Sequence, residues 1–291
     1  MNTGFLPAEI AGLHEIADNY DALICDVWGV VHNGKTPTLT AVAALETYRA
    51  SHGPVILLTN APRLAGDIRA QFDRIGVSHK CYDAIVTSGE ATRADLAARA
   101  SGVPSLPIFN LGPDRDKATY EGLPVSLVSP EEAQLVLCTG LFNDEVEGPD
   151  DYTALLERFA IRGLPFLCAN PDVTVRRGND ILYCAGAIAR RYEEMGGAVT
   201  YFGKPYGPIF ENAQAVARKL GAARRPLVIG DGLATDIRGA NLAGLDALFI
   251  VGGLAGAELG ELPADEAKRL LNELFVSHHV HVRARLDELR W

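Results

Sequence analysis

Several short apolar runs in this chain stop at a residue able to do chemistry. The stops are Ala22-Leu23-Ile24-Cys25 at Asp26, Pro54-Val55-Ile56-Leu57-Leu58 at Thr59-Asn60, residues 198–202 at Gly203-Lys204-Pro205, and residues 226–229 at Gly230-Asp231. Apolar runs of this length fit strands buried on both faces, and the helical stretches between them fit the crossovers of a parallel sheet. Helices are expected near 40–51 (Val42, Leu45 and Tyr48 at helical spacing), 64–75 closed by Gly76, up to about Ala100, 185–195, 208–220 closed by Gly221, and 235–243. Further strands are expected at 84–86 and 247–251. From Asp265 the tail reads as an amphipathic helix and a short strand. The alternation Ser277-His278-His279-Val280-His281 reads as a strand with polar positions rather than a metal site.

Between about Ser101 and Gly186 the texture changes. Prolines and glycines become frequent, and new apolar runs appear at 107–111, 134–138 and 165–169. At 291 residues the chain is about twice a usual domain of ~150. The expectation is therefore an α/β fold: a doubly wound parallel sheet formed by 1–104 and 186–291, with an inserted α+β cap at 105–185.

The net charge of −10 counts against nucleic acid or an anionic membrane as partner. With 48% hydrophobic and 22% charged residues, intrinsic disorder is excluded as the main state. The best apolar run, 247–257, falls short of the ~20 residues that span a bilayer, and MNTGFLPAEI has neither the basic nor the apolar segment of a secretory signal. The five cysteines are odd in number and form no CxxC, which suggests buried reduced thiols in a cytoplasmic protein.

Ligands of an open parallel sheet bind beyond the carboxyl ends of its strands. Asp26, Thr59, Asn60, Lys204 and Asp231 are all delivered to such ends. Singly, each has a plainer reading as a turn, a cap or a solvated side chain. Together they suggest a bound metal plus an anion. Two nearby carboxylates repel unless a cation lies between them, and oxygen ligands suit Mg²⁺. Lys204 offers a compact positive charge to a phosphate oxygen. The Thr59 hydroxyl and the helix start after Asn60 suit another.

The segments Leu23–Gly34 (LICDVWGVVHNG), Leu57–Arg63 (LLTNAPR), Gly203–Pro205 (GKP) and Gly230–Leu245 (GDGLATDIRGANLAGL) resemble the four motifs of the haloacid dehalogenase (HAD) superfamily. Cys168–Gly178 (CANPDVTVRRG) and Gly186-Ala187-Ile188 resemble the cap closure of its class IIA branch, which holds NagD-like and 4-nitrophenyl-phosphatases. The resemblance implies a Mg²⁺-dependent phosphatase acting on a small phosphorylated metabolite: a sugar phosphate, nucleotide or aryl phosphate. Asp26 would be the nucleophile. Asp26, Asp231 and the main-chain carbonyl of Trp28 would hold the metal, with Asp236 in or beside its coordination sphere. Thr59, Asn60 and Lys204 would hold phosphoryl oxygens, and Lys204 would also stabilise transition-state charge. Asn170, Asp172, Arg176 and Arg177 would face the leaving group from the cap. Relatives often dimerise through this cap, so a homodimer is an expectation.

One position departs from the family pattern. Most family phosphatases carry a second Asp two residues after the nucleophile, which protonates the leaving group; here it is Trp28. Indole cannot act as a general acid or base in the working pH range. The readings that follow are a slow phosphatase preferring good leaving groups, an acid role taken over by His32, or a phosphate-ligand-binding protein with weak turnover. A dehalogenase, which also carries an aromatic residue here, fits less well because of Lys204 and the Asp231/Asp236 pair.

Overall fold

The structure, a computed structural model, describes residues 6–178, 180–222, 224–254, 256, 259 and 262–291. The chain divides into two compact units, one built from Met1–Thr59, Arg69–Val86 and Phe210–Trp291 and the other from Asn60–Ile68 and Thr87–Ile209.

The first unit is organised by six strands: β1 (Ala22–Asp26), β2 (Val55–Thr59), β3 (Ala84–Thr87), β11 (Pro226–Gly230), β12 (Asp246–Ile250) and β13 (Ala284–Leu286). Their order is β13-β12-β11-β1-β2-β3, and the pairings from β13 through β2 are parallel. Every residue of β1 and β2 is buried, as continuous apolar runs require of strands covered on both faces. From β1 the chain progresses one way through β2 and β3, and from β11 the other way through β12 and β13. The reversal lies between β1 and β11, the switch point at which doubly wound sheets bind ligands. Three helices of this fold are α1 (Leu39–Ser51), α2 (Ala65–Ile75) and α6 (Gly207–Lys219). Helix α1 buries Ala41, Val42, Ala44, Leu45 and Tyr48 along one face.

The second unit holds a five-stranded sheet: β4 (Leu106–Leu111), β5 (Val125–Leu127), β6 (Leu135–Cys138), β7 (Phe166–Cys168) and β10 (Val199–Tyr201). Their order is β10-β7-β6-β4-β5 and every pairing is parallel, so the insert is itself α/β in texture. Among the described residues, β8 (Thr174–Arg177) and β9 (Asp180–Tyr183) form an antiparallel hairpin. The alternation along β6 explains the packing. Val136 and Cys138 join one cluster with Phe159 of α4 (Thr153–Ile161) and Ile188 and Tyr192 of α5 (Ala185–Glu194). Leu135 and Leu137 join another with Leu96 of α3 (Ser88–Arg99). A sheet clothed on both faces results.

Two sequence expectations are corrected. The strand near 198–202 was assigned to the resuming first sheet, but it pairs with β7 in the second. A three-residue strand carries no information on its partner, and here the aromatic pair Phe166–Tyr192, stacked at 5.0 Å, ties α5 to β7. The segment Ser277–His281 is not a strand. Ser277 and His278 end helix α8 (Ala264–His278), and His279 follows in the left-handed conformation at φ 52°. The helical spacing of buried Leu271 and Phe275 carries the helix through the alternating stretch. In addition, the helix expected over 235–243 is two elements, a π-helical turn over Leu233–Ile237 and α7 (Arg238–Leu242). No helix among the described residues is long and apolar enough to cross a membrane.

Candidate active site

Register builds the centre of the first unit. Cys25 pairs with Ile229, so Asp26 closes β1 beside the end of β11, and Asp231 follows that end directly. Asp236 is returned to the same place by the π-helical turn, in which the Ile237 N–H bonds to the Gly232 carbonyl five residues back. Such wide turns occur often at functional positions. The Asp236 carboxylate accepts from the Gly232 N–H at 3.2 Å and the Thr235 hydroxyl at 3.3 Å. Asp26, Asp231 and Asp236 are all buried, and each offers an oxygen within 4.8 Å of the others. Three buried carboxylates this close repel strongly without a counter-charge, so the donor set fits a hard divalent cation.

The segment after Asp26 is folded tightly. Gly29 has φ +87°, and a Cβ there would overlap the Asp231 carboxylate, so only glycine lets the segment pass. The Gly29 N–H bonds to the His32 carbonyl at 2.8 Å. His32 is fully buried, its Nδ1 accepts the Gly34 N–H at 2.8 Å, and burial lowers its pKa to about 4. Its ring lies edge-on to Trp28 at 5.1 Å and to Phe72 at 5.9 Å. His32 is thus a neutral packing partner of the half-buried Trp28, and the acid role considered for it has no support here.

Thr59 ends β2, one residue beyond the Leu58 that pairs with Asp26, and is buried. Sequence reasoning missed one further contact: the Leu254 N–H, in the loop after β12, donates to Asp231 at 2.8 Å. Its signal was Gly252-Gly253 directly after an apolar run at the same sheet edge.

The second unit holds the other expected site residues. Asn60 and Lys204 are buried and joined: the Lys204 N–H donates to Asn60 Oδ1 at 2.7 Å, and Asn60 Nδ2 donates to the Lys204 carbonyl at 3.2 Å. Asn60 Nδ2 also donates to Asp172 at 2.9 Å. Asn170 accepts the Asp172 N–H at 3.0 Å, which makes it a brace for Asp172. Arg176 and Arg177 sit on the hairpin strand β8, where Arg177 pairs with Glu145 at 2.9 Å.

A doubly wound parallel sheet with acidic side chains converging at its switch point defines an α/β enzyme of the strand-end carboxylate type. Family comparison agrees: residues 23–123 match the haloacid dehalogenase-like hydrolase model and residues 201–275 a HAD-hydrolase-like model. The crystal structure of a haloacid dehalogenase-like hydrolase from Brucella suis is 43% identical, with a TM-score of 0.83 over 98% of this chain and 100% of that one. The chain belongs to the haloacid dehalogenase-like hydrolase family. A glycerol phosphate phosphatase from Mycobacterium tuberculosis, crystallised with magnesium, is 26% identical over 85% of this chain and 74% of that one, with a TM-score of 0.63. The ribonucleotide monophosphatase NagD of Escherichia coli is 25% identical over 81% of this chain and 89% of its own, in keeping with the class IIA branch.

Proposed function

We propose that this protein is a Mg²⁺-dependent phosphatase that cleaves small phosphate monoesters through an aspartyl-phosphate on Asp26. The observation that carries the reading is the buried cluster of Asp26, Asp231 and Asp236 at the switch point. The phosphatase activities in the names of the relatives support it. Asp26, Asp231 and Asp236, with the Trp28 carbonyl, would hold Mg²⁺, which when bound neutralises the clustered carboxylates and the substrate's phosphoryl oxygens. Asp26 attacks phosphorus, the bond to the ester oxygen breaks, and water then releases phosphate from the acyl phosphate. Thr59, the main-chain amide of Asn60 and the Lys204 ammonium hold the phosphoryl oxygens as negative charge spreads over them. The cap loop carrying Asn170 and Asp172 and the hairpin carrying Arg176 and Arg177 select the alcohol portion, a sugar, nucleoside or aryl group.

Trp28 favours a second reading, a phosphate-ligand-binding protein with weak turnover, because neither it nor the buried neutral His32 supplies a proton. Phosphate release from a panel of monoesters, with and without Mg²⁺, separates the two. Release by wild type and not by Asp26→Asn is the expected result. Release no higher than the Asp26→Asn background on every ester would sink the phosphatase reading. The burial of all five thiols supports a cytoplasmic location. Exposed Ile161, Ile181 and Tyr183 give the cap apolar surface for a homodimer contact, for which sedimentation is the check.

A further inference from the structure

The family resemblance assigns Asn60 to the phosphoryl oxygens, but its side chain is already committed. A carboxamide has two N–H donors. In Asn60 one goes to the Lys204 carbonyl and the other to the Asp172 carboxylate, while Oδ1 takes the Lys204 N–H. The main chain of Lys204 is therefore gripped on both its N–H and its C=O by one buried side chain. The grip demands a close approach. Gly203 has φ +117°, and a Cβ there would overlap Asn60 Oδ1, so the residue before the lysine has to be glycine. Asp172 is in turn fixed at both ends of its own backbone. Its N–H donates to Asn170 Oδ1 at 3.0 Å, and its carbonyl accepts the Gly186 N–H at 3.1 Å, at the start of α5.

We propose that Asn60 and Asp172 are positioning residues, which hold the Lys204 backbone through the Asn60 carboxamide so that the ammonium is placed for phosphate, and that neither side chain touches the phosphoryl group. Asp172 then leaves the set of leaving-group contacts. The cap loop acts on the catalytic lysine as well as on specificity. A side chain that touches no substrate still matters, because misplacing a catalytic group by about 1 Å costs about 100-fold in rate. The inference rests on the phosphatase reading for what Lys204 does, and on the hydrogen bonds alone for what Asn60 does.

Three variants test it: Asn60→Asp, Asp172→Asn, and the two together. Asn60→Asp sets two carboxylates against each other, and Asp172→Asn sets two carboxamides side by side. The double variant restores one hydrogen bond with donor and acceptor exchanged. Positioning predicts that kcat falls about 10- to 100-fold in Asn60→Asp and that the double variant recovers about tenfold of it. The affinity for inorganic phosphate, measured by calorimetry with Mg²⁺ present, should fall in Asn60→Asp and recover in the double variant. A carboxamide bound directly to phosphate predicts otherwise. The new carboxylate at 60 would then repel phosphate equally with and without Asp172→Asn, and absence of rescue would overturn the proposal. Asp172→Leu, a fourth variant of similar size, offers Asn60 Nδ2 no acceptor, and a normal kcat in that variant would also overturn the proposal. If wild type binds phosphate but hydrolyses no ester, the phosphatase reading fails, and the rescue of phosphate affinity alone decides the positioning role. If wild type binds no phosphate, both fail.

Discussion

On the proposed phosphatase reading, Trp28 limits which esters can be cleaved. Departure of an alkoxide needs a proton, and loss of the group that gives it costs about 10²- to 10⁴-fold in rate. A nitrophenolate leaves without one. Trp28→Asp should therefore raise kcat on an alkyl phosphate by about tenfold or more and leave p-nitrophenyl phosphate nearly unchanged. An equal change on both substrates would mean that the proton comes from elsewhere. Asp236 carries a separate prediction. Its carboxylate is aimed by the Gly232 N–H and the Thr235 hydroxyl, and it completes the buried acidic cluster. Asp236→Asn removes a charge without changing shape. The Mg²⁺ concentration for half-maximal activity should rise about 10- to 100-fold, with the fold unchanged by circular dichroism. A Mg²⁺ requirement equal to wild type would take Asp236 out of the metal site.

Elements were legible where burial imposed a simple pattern. Strands β1, β2 and β11 read directly from apolar runs because both faces of the sheet are covered, and the same runs located Asp26, Thr59 and Asp231 because chemistry gathers where such strands end. Placement of β10 was not legible, since a three-residue run does not say which of two parallel sheets it joins. The grip of Asn60 on Lys204 was equally hidden: the two residues are 144 positions apart, and Thr-Asn after a strand looks the same whichever partner the carboxamide finds. The end of α8 shows how short alternation misleads. Five residues that alternate like a strand lie at the end of a helix whose buried face sets the period. His279 there pays the steric cost of a positive φ without glycine's freedom. His279→Gly should stabilise the protein by about 0.5–1 kcal/mol, read as a higher urea midpoint at unchanged slope. A lower midpoint would show that the imidazole makes a contact worth more than the strain.

For the whole molecule, the two compact units share one response to alkali. Cys25 and Cys81 lie in the first, Cys138, Cys168 and Cys184 in the second, and all five thiols are buried. Burial pushes the Cys81 thiol up to about 12 from its ordinary value of 9.0, with the Glu46 charge adding to the effect. Burial likewise raises Cys138, Cys168 and Cys184. The folded state thus keeps these protons at a pH where the unfolded chain has lost them. The stabilisation is complete below pH 9 and drains away as pH rises toward 12, by about 1.4 kcal/mol per pH unit for each such thiol. The urea midpoint should be nearly flat from pH 7 to 8.5 and fall steeply above 9. Cys81→Ala should lower the midpoint at pH 8 through the cavity it leaves, yet reduce the steepness of the alkaline fall by about one thiol's share. The same burial makes the thiols inert, because the thiolate is the reactive form. A disulfide reagent at pH 8 should find no fast thiol in the native protein and all five in denaturant. A thiol that reacts within the mixing time in the native state would remove that cysteine from the buried set and with it one share of the alkaline slope.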